Sequence, residues 1–187
     1  MRYIGITKKE QGHFITRYDV EYETVDGNKK IYEMISRDPN MDSFEKMHER
    51  PADAVVLIMT DETGEKILLN REFRLAVGEE VFNFPAGLID PGEDSDTAAR
   101  RELFEETGLE IVEIKDHIGE SYSAVGFSNE KNVCVVGTCK GEIQQSDSVY
   151  EEIEAGFYTK SEIRELLKTR RFAARTQAYC YMWSRES

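Results

Sequence analysis

Three glutamates within one short segment, Glu102, Glu105 and Glu106, have the residue type and the spacing that a metal site needs. Residues three and four positions apart are neighbours on an α-helix, so Glu102 should lie beside the other two. Crowded carboxylates repel one another, and hard cations such as Mg²⁺ or Mn²⁺ accept oxygen ligands of this kind. The glutamates alone are equally typical of a solvated acidic helix surface, but the glycines and the arginine around them favour the metal site.

The segment that carries these glutamates has the signals of a helix with two defined ends. Residues 97–107 contain no Gly or Pro and are rich in residues that favour helix. Gly108 stands where a left-handed C-terminal cap is expected. Arg101 lies four residues before Glu105 and is predicted to orient it through a charge-assisted contact. The candidate N-cap residues are Asp94, Ser95 and Asp96.

The run from Gly87 to Leu109 resembles the Nudix box of the Nudix hydrolases. The fixed positions of that pattern are all matched, by Gly87, Glu93, Arg101, Glu102, Leu103, Glu105, Glu106, Gly108 and Leu109. Members of this family hydrolyse nucleoside diphosphates linked to another group, with Mg²⁺ or Mn²⁺ as the cofactor. The resemblance implies that Glu102 and Glu106 are metal ligands and that Glu105 shares their cluster. It also implies that the carbonyl oxygen of Ala86 completes a coordination shell.

Four further segments resemble the ADP-ribose and ADP-sugar pyrophosphatases of the same family, so that the resemblance covers most of residues 13–185. These segments are residues 32–37, 54–58, 72–74 and 84–90. Two positions differ from the subfamily pattern. Val125 stands where a proline is usual, about sixteen residues beyond the box, and Asn83 stands where an acidic residue is usual, two positions before Pro-Ala-Gly.

The subfamily resemblance implies hydrolysis of ADP-ribose or another ADP-sugar to AMP and a sugar phosphate. Other nucleotides, such as a nucleoside triphosphate or a dinucleoside polyphosphate, stay open as substrates. A non-catalytic nucleotide sensor is a third interpretation, but such a sensor is expected to lack box glutamates, and all of them are present here.

An acidic loop, residues 147–154, supplies the candidates for activating water. In the resembled enzymes, glutamates of this loop bind a further metal and take the proton of the attacking water. Glu151 and Glu152 are the candidates here, together with Glu105 of the box, and Glu151 is also a candidate metal ligand. A solvated run of charges explains the loop equally well.

Five residues outside the box are candidates for substrate binding. Arg37 and Arg74 could grip the pyrophosphate, because a guanidinium fork matches phosphate oxygens. Phe73 and Phe127 could stack on a base, and Glu130 fits the subfamily pattern next to Val125. The competing interpretations are surface arginines and aromatic residues of the core.

Composition argues against nucleic acid and membranes as partners, and the small nucleotide substrate is what the resemblance implies. The 187 residues carry a formal net charge of −13, which repels nucleic acid and anionic membranes. No apolar run is long enough to span a bilayer, and the first residues lack the apolar core of a signal peptide, so we expect a cytoplasmic protein. Its three cysteines have no metal-binding spacing and are expected to be buried thiols: Cys134, Cys139 and Cys180.

The first part of the chain predicts an antiparallel β-hairpin. Residues 14–25 alternate with period two, Asp26-Gly27 is a hairpin signal, and residues 30–37 follow. A hairpin of this size is not stable alone. The resemblance implies that residues 1–45 form an extension that dimerises, so that the protein is a homodimer, and that residues 46–187 form the Nudix domain.

The remaining elements predict an α/β (α+β) fold, an α/β/α sandwich with a mixed sheet. The predicted strands are residues 53–60, 66–73, 111–118, 132–140 and 153–159. A capping box at Thr159–Glu162 opens a helix that extends to about Lys168, and a last helix follows over residues 172–183.

Overall fold

The structure is a computed structural model, and it describes residues 1–144 and 152–186. In those residues the strands are β1 (Arg2–Gln11), β2 (Thr16–Glu23), β3 (Lys29–Ser36), β4 (Ala54–Thr60), β5 (Lys66–Arg74), β6 (Glu79–Asn83), β7 (Ala86–Leu88), β8 (Glu110–Tyr122), β9 (Lys131–Lys140) and β10 (Ile153–Thr159). The helices are α1 (Phe44–His48), α2 (Ser95–Thr107), α3 (Lys160–Thr169) and α4 (Ala174–Trp183). The chain divides into two compact units, Met1–Asp53 with Glu120–Asn132 and Ala54–Gly119 with Val133–Ser187.

In the first unit, β1, β2 and β3 form an antiparallel sheet in that order. The predicted hairpin is confirmed as the β2–β3 connection, where Gly27 has a φ of +79°. The sequence does not predict β1, because none of its side chains is fully buried and its residues show no clear apolar period. The small core of this unit is formed by Tyr18, Val20, Met34 and Met41.

In the second unit, β10, β5, β4, β9 and β8 lie side by side in that order, with β6 paired to β5 and β7 paired to β4. Residues 55–59 of β4 are all buried, which explains their uninterrupted apolar run. One face of the sheet packs against α2, through Val55, Leu57, Met59, Ala98, Ala99 and Leu103. The opposite face packs against α3 and α4, through Val56, Ile58, Ile163, Cys180 and Trp183. The sheet therefore lies between helices, which confirms the predicted α/β/α sandwich.

Helix α2 begins and ends where its sequence signals lie. Of the three candidate caps, Asp94 is the N-cap, and its Oδ1 accepts the Thr97 N–H at 2.8 Å. Gly108 closes the helix in the left-handed conformation, with a φ of +73°, and its N–H donates to the carbonyl of Phe104. These ends fix which residues of α2 face the sheet.

Two predictions from composition also have an outcome. The three cysteines are buried free thiols, as expected from their spacing. No helix in the described ranges is long and apolar enough to cross a membrane.

Candidate active site

The site begins where β7 passes α2. The carboxyl group of Glu102 lies so close to Gly87 that a Cβ built on residue 87 would be 1.9–2.1 Å from its atoms. A side chain at this position would therefore displace the Glu102 carboxylate. Only glycine permits such a close approach of backbone and side chain, which is a physical reason for the glycine that opens the box.

Arg101 holds one group of carboxylates together. Its Nη2 donates to Glu93 at 2.9 Å and to the carbonyl of Leu88 at 2.9 Å. Its Nη1 donates to Glu102 at 2.7 Å and to Glu105 at 3.2 Å, so the predicted contact between Arg101 and Glu105 is present. The hydrogen bond from Arg101 lowers the pKa of Glu93, which keeps that carboxylate ionised. We call residues 93, 101 and 105 the arginine cluster.

Glu106 lies in a different environment. Its Oε2 accepts hydrogen bonds from Asn70 Nδ2 at 2.8 Å and from the Ala86 N–H at 3.3 Å, which are both neutral donors. Desolvation, followed by the negative charges of Glu102 and Glu72, raises the pKa of Glu106 to about 8. Desolvation also raises the pKa of Glu102, and the hydrogen bond from Arg101 opposes that shift. We call residues 72, 102 and 106 the buried acidic cluster.

The donor set of this cluster fits a hard divalent cation, although its carboxylates are not arranged as a complete ligand set. Among the described residues, no three His, Cys, Asp or Glu side chains are grouped so that they could hold a metal ion. Arg101 engages Glu102 and Glu105, whereas Asn70 and Ala86 engage Glu106. The fit lies in the oxygen donors, in the glycine cradle beneath Glu102 and in the negative charges around Glu106. The metal ligands inferred from the box therefore stay a prediction.

Two site residues on β5 do not follow from the box. Leu68, Asn70, Glu72 and Arg74 follow one another in steps of two along β5, so their side chains form one row on the same face of the sheet. Leu68 packs in the α2-side core, which identifies that face. Asn70 is only 1% exposed. Counting in steps of two from the apolar residue Leu68 is the signal that points to both residues.

Glu72 is held from two sides. Its Oε1 accepts from Asn83 Nδ2 and its Oε2 accepts from Arg74 Nη1, both at 3.3 Å. The Glu72 side chain is 11% exposed, whereas that of Arg74 is 57% exposed. Arg74 therefore keeps most of its guanidinium accessible while one nitrogen is anchored.

The other predicted residues of the second unit lie at the end of β5. Phe73 is exposed, and its N–H donates to the carbonyl of Glu152 at 3.2 Å. Glu152 is exposed and directly precedes β10. Glu151 falls outside the described residues.

In the first unit, the structure brings Arg37 and Glu130 together as an ion pair, with Nε and Oε2 2.5 Å apart. Phe127 is 56% exposed, and its carbonyl accepts the Ile35 N–H at 2.8 Å. Phe127 also lines a cavity of about 230 Å³, together with Tyr22, Tyr32, Met34, Tyr122 and Asn129. The Oδ1 of Asn129 is buried without a hydrogen-bond partner in the structure.

Comparison with known proteins adds three findings. A model of the NUDIX domain matches residues 50–179. The chain is similar to the ADP-ribose pyrophosphatase of Saccharomyces cerevisiae, with 43% identity over 83 residues, which are 43% of this chain and 34% of that protein. It is also similar to the ADP-ribose pyrophosphatase of Bacillus subtilis, with 34% identity over 82 residues, which are 44% of this chain and 43% of that protein. The matched part therefore spans less than half the length of either relative.

A crystal structure of an ADP compounds hydrolase has the same fold. The TM-score is 0.72, and the alignment covers 99% of this chain and 93% of the other at 20% sequence identity. At this identity the likeness concerns the fold alone.

Proposed function

Because the chain belongs to the NUDIX family, whose members generally use divalent metal ions, we propose that it hydrolyses the pyrophosphate bond of a nucleoside diphosphate derivative. The proposed substrate is ADP-ribose or another ADP-sugar, and the products are AMP and a sugar phosphate. Two relatives with the name ADP-ribose pyrophosphatase support this choice of substrate.

The observation that carries the proposal is the environment of Glu106. This carboxylate is desolvated, its hydrogen-bond donors are neutral, and the charges that raise its pKa belong to Glu102 and Glu72. Ionising Glu106 in this environment therefore costs stability in the metal-free protein. A divalent cation bound among the three carboxylates would remove their repulsion and would favour the ionised state of Glu106.

The proposed cation ligands are the carboxylates of Glu102, Glu105 and Glu106, the carbonyl oxygen of Ala86, and Glu151. Mg²⁺ or Mn²⁺ at this place would neutralise the charge of the pyrophosphate and would lower the pKa of a water molecule that attacks it. Arg101 orients Glu102 and Glu105. Gly87 leaves the space that the Glu102 carboxylate occupies.

Arg74 is the proposed pyrophosphate clamp of the second unit. It extends from the β5 row that carries Asn70, and its side chain is more than half exposed. Phe73 is the proposed neighbouring contact to the substrate. The proton of the attacking water would pass to a glutamate, for which Glu105, Glu151 and Glu152 are the candidates.

Three of the substrate-binding candidates, Arg37, Phe127 and Glu130, belong to the first unit. Phe127 lines the cavity described above with three tyrosines, and these aromatic rings support stacking on a base. Arg37 and Glu130 already satisfy each other as an ion pair. We therefore assign Arg37 to positioning the Phe127 loop as well as to binding substrate.

We also propose that the protein is a homodimer that associates through residues 1–45. Large apolar side chains are exposed in this segment, namely Phe14, Val25 and Ile31. Burying such side chains between two copies is the usual source of dimer stability. Light scattering after size-exclusion chromatography should give twice the chain mass of 21.5 kDa, and the mass of one chain would contradict the proposal.

The test of the activity is a substrate panel with Mg²⁺ or Mn²⁺ and an EDTA control. The panel contains ADP-ribose, a second ADP-sugar, a nucleoside triphosphate and a dinucleoside polyphosphate, and ³¹P NMR identifies the products. We expect AMP and a sugar phosphate from the ADP-sugars, and no product in EDTA. Binding without turnover across the panel would contradict the enzyme and would favour a sensor. Preferred turnover of a different member would correct the substrate alone.

A further inference from the structure

We propose that Glu72, held in place by Asn83, contributes an additional carboxylate to the cation site of the Nudix box. This inference rests on the proposed function, because it assigns a residue of β5 to that same site. It starts from the unusual asparagine at position 83, where the subfamily pattern has an acidic residue.

The hydrogen bonds around Asn83 have only one possible direction. The hydroxyl of Thr176 accepts the Phe84 N–H at 3.2 Å, so its own proton is free to donate to Asn83 Oδ1, which lies 2.8 Å away. The amide nitrogen of Asn83 must then face the opposite way. It donates to Oε1 of Glu72 at 3.3 Å.

The pair that Asn83 and Glu72 form between neighbouring strands therefore contains one carboxylate and one neutral amide. An acidic residue at position 83 would place a second carboxylate against Glu72, and the two like charges would repel. With asparagine at 83, the carboxylate sits on β5 instead of β6, and the amide fixes its orientation. Glu72 is thus the carboxylate of this pair, and Asn83 is its neutral donor.

The β5 row directs Glu72 towards the box glutamates. Asn70, two residues earlier in the same row, reaches Glu106 Oε2 with its Nδ2 at 2.8 Å. The charge of Glu72 also acts on Glu106, whose pKa it helps to raise. The side chains of Asn70 and Glu72 therefore belong to the same polar region as Glu106.

A second observation indicates that this region is built to receive a ligand. Asn70 is 1% exposed, its side chain points to Glu106, and its Oδ1 is buried with no hydrogen-bond partner among the described residues. A buried acceptor with no donor is costly. A hydrated divalent cation bound beside Glu106 brings water protons to such an acceptor and positive charge to Glu72.

The competing explanation is that Glu72 only anchors Arg74, to which it is also bonded. A purely structural role would change the stability of the metal-free protein but not its affinity for the cation. The measurement is therefore Mn²⁺ affinity without substrate, by electron paramagnetic resonance, combined with the melting temperature in EDTA.

The variants are E72Q, the exchange variant E72Q/N83E, E106Q and the control E154Q. Glu154 is an exposed carboxylate on β10 and pairs with Arg71 of β5. The side chain of Arg71 lies on the face of β5 opposite to that of Glu72, so E154Q removes a carboxylate away from the proposed site.

We expect E72Q to weaken Mn²⁺ binding about 10- to 100-fold, the range typical of residues that support metal ligands. The exchange variant should recover most of that affinity, because it returns a carboxylate to the neighbouring strand. E154Q should bind Mn²⁺ as the unaltered protein does. Unchanged affinity in E72Q, or an exchange variant that binds no better than E72Q, would overturn the proposal.

E106Q separates this inference from the proposed function. If E106Q loses Mn²⁺ affinity and E72Q does not, only the role of Glu72 fails. If neither variant loses affinity, the cation site itself is wrong, and the proposed metal-dependent activity fails with it.

Discussion

Two groups of carboxylates lie around helix α2, and they differ in the charge of the groups that surround them. In the arginine cluster, Glu93 and Glu105 are neutralised by Arg101, a residue of α2. In the buried acidic cluster, the donors that reach Glu106 from the described residues are neutral, and the neighbouring charges that act on it are negative. A count of glutamates therefore does not identify a cation site. The better indicator is a buried carboxylate that has no positively charged side chain bonded to it among the described residues.

Glu102 connects the two groups. One of its oxygens accepts from Arg101, and the charge of its carboxylate acts on Glu106. Arg101 therefore orients a residue of the acidic cluster without neutralising the whole cluster. The comparison predicts that changes in the acidic cluster affect turnover and cation binding, and that changes at the N-cap of α2 affect stability alone.

The largest effect is expected for E106Q, which removes the uncompensated carboxylate. Turnover should fall about 100-fold or more, because loss of a metal ligand exceeds the 10- to 100-fold loss that follows from disturbing a supporting residue. The steady-state rate on the best substrate of the panel measures this, and circular dichroism checks that the fold is intact. Turnover close to that of the unaltered protein would remove Glu106 from the cation site.

The variant G87A tests the space beneath Glu102. A Cβ at residue 87 would lie 1.9–2.1 Å from the carboxyl group, so that group must move. A displacement of about 1 Å in a catalytic constellation can cost about 100-fold, so we expect turnover to fall between about 10-fold and 100-fold. Gly119 offers a matched control, because a Cβ there meets no atom within 4 Å. If G87A and G119A were equally active, the close approach would have no catalytic importance.

The negative charge of the acidic cluster should also make the stability of the metal-free protein depend on pH. The folded-state pKa of Glu106 is about 8 and its ordinary value is 4.5. Because folding raises this pKa, the protonated form of Glu106 favours the folded state. Its contribution to the free energy of unfolding is fully present below about pH 4.5 and is lost as the pH rises to about 8 and beyond. One such group changes the free energy of unfolding by at most about 1.4 kcal/mol per pH unit.

Urea denaturation in EDTA, at several pH values in this window, measures that loss. The profile of E106Q should be flatter than that of the unaltered protein, because the titrating group is absent. Mn²⁺ should restore stability at the alkaline end of the window. Identical profiles for the two proteins would show that Glu106 is not the desolvated group that the structure indicates.

The sequence predicts the parts of this molecule that depend on local interactions. The caps Asp94 and Gly108, the turn at Asp26-Gly27 and the apolar run of β4 are each encoded within a few residues, and the structure confirms them. The contact between Arg101 and Glu105 follows from helical spacing in the same way.

The rest depends on pairing between distant segments. Strand β1 exists because it pairs with β2, and its own exposed side chains give no signal. The sequence alone also cannot show that Asn70 reaches Glu106, or that Asn83 holds Glu72, because these contacts require the register of β5 against β6 and the position of α2. The burial that raises the pKa of Glu106 is likewise a property of the assembled sheet and helix.

The smallest effect is expected for D94A, which removes the N-cap of α2 at the end of the helix far from Glu106. Asp94 Oδ1 accepts the Thr97 N–H at 2.8 Å, and loss of an N-cap costs about 1 kcal/mol of stability. Twelve residues separate Asp94 from Glu106, about 18 Å along the helix. The unfolding free energy should therefore fall by about 1 kcal/mol while Mn²⁺ affinity stays within about twofold. D94N should retain most of the stability, because asparagine also caps helices well. A large loss of Mn²⁺ affinity in D94A would mean that the acidic cluster depends on the whole helix rather than on its own local contacts.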